Sequence, residues 1–380
     1  MLVGVIAVLA SGFLLDGSLL TEGRAGSTVG GQNPNGAQIR LDLQGRGSNG
    51  DGVLLFGLTP SAVFSNGRAL FARAFGEADL RLDGTTLLRL RQGFGYGSAD
   101  FSPLAPAAPA GPGPVVVQPP PATRFVLIQE SNSLAELEVA TSRRLRMTAS
   151  ASWIVSGGAD STSRESVLLG RGPQAHASLQ WSATPLDILR FDAAGSDTKY
   201  SNGLRGSVAN LTVGWRTLLS RSAELAFSAG PGVGRSQPPD QPASTLPYAV
   251  ATADFTGNAT RDLSATVGIG VEPLGDALSG EIVERSSIRA SLSLGRPGHV
   301  TAVARALGSL TITSGNGGPT SPEAGDKFLQ GELGATMPVG PQSALGVGIR
   351  GAFFSRPLQG QPAQQWAAFV NWTAHLSLLR

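Results

Sequence analysis

The chain has 380 residues, 51 of them glycine, with 15% charged side chains, no cysteine and a formal net charge of +2. Soluble globular chains carry roughly 25% charge; here Lys199 and Lys327 are the only lysines, and no basic run exists to neutralise neighbouring phosphates, so nucleic acid is set aside as a partner. Without cysteine there is no disulfide, thiolate nucleophile or Cys-ligated zinc, and the fold must stand on packing and backbone pairing.

Residues 1–15 form the one long apolar run, too short for a confident transmembrane helix and about the length of a signal-peptide core. Residues 1–25 are therefore read as an export signal, with a buried first strand as the alternative. Residues 26–36 are polar and Gly-rich and read as a flexible lead-in. Strands are predicted over 37–46, 53–64, 68–82 and 85–99, the last two joined by the hairpin turn Asp83-Gly84. The Pro-rich stretch at 102–123 can neither pair in a sheet nor fold as a helix, and reads as a long loop.

From Arg124 onward, period-2 alternation recurs with little interruption. Leu145, Met147, Ala149, Ala151, Trp153 and Val155 alternate with Arg146, Thr148, Ser150 and Ser152; Ala209, Leu211, Val213 and Trp215 alternate with Asn210, Thr212, Gly214 and Arg216. The segments 174–181, 345–353 and 368–378 repeat the pattern. Connections take turns in length: tight turns at 142–144, 185–187, 220–222, 260–262, 296–299 and 340–342 are separated by longer polar loops such as 157–173, 236–247 and 314–327. The polar face is Ser, Thr, Gly and Asn with scattered charge, which a lipid-surrounded wall with a wet interior demands and a soluble sandwich or propeller does not.

These features together resemble the bacterial outer-membrane β-barrels, porin-like in kind. The resemblance implies an antiparallel transmembrane β-barrel of 16 to 18 strands over residues 37–380, with short periplasmic turns and longer extracellular loops. It also implies location in the bacterial outer membrane, contact with outer-membrane lipid, and insertion by the barrel-assembly machinery. The strands counted along the sequence come to seventeen, an odd number, whereas termini on one side require an even one. Either 37–46 lies outside the wall or a strand has been missed, for instance by splitting 125–141 at Glu130–Ser133.

On the polar parity stand Glu136, Glu138, Arg146, Arg190, Asp192, Arg216, Glu224, Asp254, Glu272, Arg285, Arg289, Arg305, Glu332 and Arg350. They are the candidate lumen residues, acids balancing bases, and cross-strand ion pairs are the expected use of most of them. Trp153 and Trp181 fall on the apolar parity and are candidates for an interfacial aromatic girdle.

Catalytic chemistry is weakly represented. His176 and Ser178 lie two apart on one face and superficially resemble the His-x-Ser pair of outer-membrane phospholipase barrels, but on the lumen parity rather than the lipid face; His375 and Ser377 add nothing firmer. Three scattered histidines, His299 in a turn among them, make no metal site, and no cofactor motif is present. The functional expectation is a channel passing a polar solute or an exported polymer such as exopolysaccharide, partnered by a periplasmic export complex. A structural or assembly barrel without transport, or a membrane lipase, are the alternatives.

Overall fold

The computed structural model describes residues 13–29, 35–49, 52–65, 67–102, 104, 124–240, 242–276, 279–296, 298–312, 327–355 and 363–379. The strands before the Pro-rich stretch are β1 (Phe13–Val29), β2 (Gly36–Asn49), β3 (Gly52–Phe64), β4 (Arg68–Arg81) and β5 (Thr86–Asp100). After it come β6 (Phe125–Ala140), β7 (Leu145–Gly158), the short helix α1 (Ser161–Ser166), β8 (Gly170–Ser182), β9 (Asp187–Tyr200) and β10 (Arg205–Ser220). The chain continues through β11 (Ala223–Gln237), β12 (Ser244–Asn258), β13 (Leu263–Gly275) and β14 (Ile282–Leu294). It ends with β15 (Thr301–Ile312), β16 (Lys327–Gly340), β17 (Ser343–Phe354) and β18 (Gln364–Leu379). Each strand pairs antiparallel with its neighbours in sequence, and β1 pairs with β18, so that one 18-stranded sheet closes on itself.

Closure leaves the sheet without a free terminal strand and satisfies the backbone over most of the wall, the condition for a sheet to span lipid. The alternation read from sequence then sorts the side chains. Leu211 is 62% exposed and Val213 53% exposed, whereas their neighbour Thr212 faces the interior row opposite Asp192. The same outward row holds Ile269, Ile288, Leu333, Ile349 and Val370, all exposed. A soluble protein would not leave so wide a band of large apolar side chains in water.

The wall begins earlier than the sequence reading placed it. Phe13–Val29, expected as the end of a signal peptide and a flexible lead-in, forms a wall strand in register with both β2 and β18. This strand also resolves the odd count. Residues 37–46 lie in the wall as part of β2, and Phe125–Ala140 runs unbroken as β6, so the missing strand is β1. The Pro-rich stretch lies outside the described residues except for Ser102 and Leu104.

Short connections (50–51, 82–85, 141–144, 183–186, 221–222, 259–262, 295–300 and 341–342) all fall at one end of the barrel. Leu15 pairs with Leu379 at that same end. The opposite end carries the long connections at 101–124, 159–169 and 313–326. Short-turn and long-loop ends are thus the periplasmic and external ends of an outer-membrane barrel.

One ladder is incomplete. The pairing of β12 with β13 covers only Ala251–Asn258 against Val271–Ser264, leaving the external parts of both strands unpaired with each other. The β13 end stays paired with β14 instead, through Glu272–Arg285 to Gly275–Ile282. Pro247 on β12 and Pro273 on β13 mark this seam, and a residue without a backbone N–H is suited to a strand stretch that lacks a ladder partner. The freed tip of the β13–β14 hairpin turns into the barrel. Ile282 there lies against Gly206 and Gly234, where a Cβ atom would come within 2.9 Å and 2.7 Å of it.

Candidate transport pathway

Ionic side chains line the interior in pairs, most of them between neighbouring strands and others, such as Arg190 with Asp192, along a single strand. Near the short-turn end Arg146 meets Glu138 at 3.1 Å, Arg190 meets Asp192 at 2.7 Å and Arg216 meets Glu224 at 2.6 Å. Near the same end Arg89 donates to Asp79 and to Glu136, and further along Arg289 donates to Asp254 at 2.8 Å. Arg305 and Arg350 share Glu332, at 3.2 Å and 2.6 Å. Glu272 stands opposite Arg285 in the register. Thirteen of the fourteen sequence-named charges therefore stand in named ion pairs.

Burial separates residues that the sequence treats alike. The side chains of Arg146 and Arg216 are 55% and 52% exposed, whereas those of Arg350 and Arg285, towards the external end, are 5% and 1% exposed. Arg285 is not a wall charge facing open water: it reaches Asp276 at 3.4 Å and Thr311 at 3.3 Å, tying the inturned hairpin tip to β15. The interior thus forms a wetter vestibule towards the short-turn end and narrows into a more closely packed zone around Arg285 and Arg350 towards the long-loop end.

Among the described residues, three inward-folded segments make the narrowing. The first is the start of the β5–β6 connection. Asp100 accepts from Arg24 at 2.7 Å and from Arg124 at 3.0 Å, and beyond it Leu104, fully buried, packs with Phe328, Ala352, Phe354 and Ala367 of β16–β18. The Leu104 carbonyl accepts from Arg350, whose guanidinium also donates to Glu22 at 2.6 Å and lies 4.0 Å over the Phe369 ring.

The second is the β7–β8 connection. Asp160 caps α1 by accepting from the Ser163 amide at 2.7 Å, and Arg164 donates to the carbonyls of Gly158 and Ala159. Val167, just after the helix, packs with Val126 and Ile128, and Phe71, Ala99 and Phe101 border them. The third is the β13–β14 tip, where the Tyr248 hydroxyl donates to the Ile282 carbonyl at 3.0 Å. Glu284 accepts from the Ala249 amide at 3.2 Å, in place of the missing ladder bond.

Aromatic side chains interleave with arginine on the interior of β4 and β5: the Arg73 guanidinium lies 5.2 Å from the Phe71 ring centre and that of Arg91 5.8 Å from Phe75. Sequence reasoning did not single out these residues, nor Glu22, Arg24, Asp100, Arg124 or Leu104. For Glu22 and Arg24 the signal was present, since they alternate with Thr21, Gly23 and Ala25, but the small residues around them read as low complexity.

Trp153 and Trp181 both face outward and are half-exposed, Trp181 beside the short-turn end and Trp153 further up β7. His176 and Ser178 face the interior. His176 Nε2 lies 3.0 Å from Asp192 Oδ1, so a carboxylate and not the Ser178 hydroxyl engages the imidazole, with the wall between the pair and lipid.

A family model described as the EpsX exopolysaccharide export family matches residues 82–379. The chain belongs to that family. The EpsX family match spans β5 to β18, the strands from which the vestibule and most of the narrowing are built. Among solved structures, the Pseudomonas aeruginosa outer-membrane protein OpdK is similar at 12% identity, covering 96% of this chain and 100% of its own, with a TM-score of 0.53. Pseudomonas aeruginosa OccK2 (OpdF), solved in complex with glucuronate, gives 13% identity, 97% and 98% coverage and a TM-score of 0.54. These likenesses concern the fold. No curated protein matches the chain. Family, fold and the two-ended architecture make this EpsX-family chain an outer-membrane barrel that serves as a channel for polymer or solute passage.

Proposed function

We propose that the cargo is an exopolysaccharide leaving the cell, entering the vestibule at the short-turn end and passing out where the three inturned segments form an external gate. The observation that carries this reading is the paired interior: opposite charges neutralise one another strand by strand, so the wall offers many hydrogen-bonding groups but little net field. A polyhydroxylated chain can slide along such a wall without being held by one sign of charge. The Phe71–Arg73 and Phe75–Arg91 pairs add flat apolar faces beside polar groups. Two partners follow: the barrel-assembly machinery for insertion, and a periplasmic export complex that delivers the polymer to the short-turn end. Nothing in the reading asks the chain to act as an enzyme.

Conductance and secretion test the reading together. In planar bilayers the wild-type barrel should conduct weakly, and the variant Leu104→Ala with Ile282→Ala should conduct several-fold more, because both gate anchors are trimmed. Cells lacking the chain should retain polymer inside the envelope, and the wild-type gene should restore its release. A gate variant that folds and stays silent, or unaltered polymer release without the chain, would leave a structural barrel as the answer.

A further inference from the structure

The outward face of β8–β11 breaks the apolar pattern at its external end. Arg171 pairs in register with Lys199, and Lys199 with Arg205, all three exposed on the lipid-facing side of adjacent strands. One step towards the membrane interior, Arg235 stands on the same face, paired with Ser207, which in turn pairs with Asp197. Asp197 accepts from Arg205 Nε at 2.8 Å and from the Ser207 hydroxyl at 2.9 Å. Among the described residues no carboxylate is bonded to Arg171, Lys199 or Arg235.

Like charges placed directly opposite each other across strands, with Cβ atoms about 5 Å apart, repel and destabilise a sheet unless an anion lies between them. Here three cations share one row with a single carboxylate nearby. Elsewhere on this rim the outward rows of the described residues carry isolated cations only, Arg68 on β4 and Lys327 on β16. Directly beneath the cluster the outward face returns to exposed apolar side chains, Val233 and Leu211. A ligand for this place must therefore carry anionic groups in a polar head and long apolar chains below it.

We propose that Arg171, Lys199, Arg205 and Arg235 form a binding site on the outside of the barrel for the phosphorylated sugar headgroup of an outer-leaflet glycolipid. The arginines supply forked donors for phosphate oxygens and Lys199 a mobile point charge. The acyl chains lie along Val233 and Leu211. The site lies outside the transport pathway and does not depend on what passes through the lumen.

Native mass spectrometry of the full chain in detergent micelles, with a bisphosphorylated acylated glucosamine disaccharide as the probe, tests it. Wild type should retain a bound probe, and the triple variant Arg171→Gln, Lys199→Gln, Arg235→Gln should lose at least tenfold of the bound fraction. Arg68→Gln with Lys327→Gln should retain it. The same disaccharide stripped of its phosphates should bind wild type at least tenfold less, a comparison that needs no variant to fold. Equal retention by the triple variant, equal binding of the stripped probe, or equal binding of phosphatidylglycerol would overturn the proposal. So would displacement by inorganic phosphate at equimolar concentration, which would mark a site for the free ion.

Discussion

Arg350 shows how much one side chain holds at the narrow end. It donates to Glu22 and Glu332 at 2.6 Å each, covers Phe369 and reaches the Leu104 carbonyl. Removing one partner of a buried ionic group costs more than the pair itself contributes, because the remaining charges lose their compensation in a poorly solvated place. Arg350→Leu leaves two carboxylates facing an apolar side chain and should destabilise the barrel by about 3 kcal/mol. The temperature at which the folded gel band converts to the unfolded one should fall, and resting conductance should rise as Leu104 loses its anchor. An unchanged conversion temperature would mean that the knot adds nothing to stability. Arg350, Glu332 and Arg305 were legible as interior residues from their parity alone. Glu22 was not, since the stretch of its strand from Thr21 to Thr28 surrounds its charges with Gly, Ser, Thr and Ala and lacks the large apolar residues that make alternation audible in β7 or β10.

Strands whose outward positions carry Leu, Val, Ile or Trp were readable, and so were the tight turns between them, because periodicity and turn chemistry are local properties. The inturned hairpin was not. Pro247 and Pro273 were visible, but a proline in a strand says only that a ladder bond is missing there, not that the strand leaves the wall. That the β13–β14 tip folds inward is decided by contacts between distant strands: Ile282 against Gly206 and Gly234, and Tyr248 against the Ile282 carbonyl. The wall itself yields a direct test. Leu211→Arg or Val213→Arg places a charge on the lipid side of β10 and should cost roughly 2 to 4 kcal/mol near the midplane, whereas Thr212→Arg, on the wet side, should be tolerated. Reversible unfolding in urea with lipid vesicles measures the difference, and equal costs at both parities would contradict a lipid-facing outer row.

The complete barrel has a weak mean field inside because acids and bases alternate around it. Selectivity between small cations and anions should therefore be modest, and the exposed vestibule charges should be the ones that set it. Replacing Arg146 and Arg216 with Glu reverses two half-exposed charges near the short-turn entrance. The reversal potential should shift towards cation permeability, most at low salt where screening is weakest. An unshifted potential in a folded variant would place the controlling step elsewhere, at the buried narrow end.

Pairing of β1 with β18 also sets the order in which the molecule can be made. Glu22 and Arg350 are 328 positions apart in the chain, and contacts of such long range form only after the intervening segment is in place. Until the eighteenth strand has emerged, the first has one free edge, and the cavity that Glu22 will help to close does not yet exist. Closure is then the last step of construction, and the buried ionic knot is its latch: a nascent barrel stays open-sided and exposed to proteases, and the narrow end is sealed only in chains completed through β18.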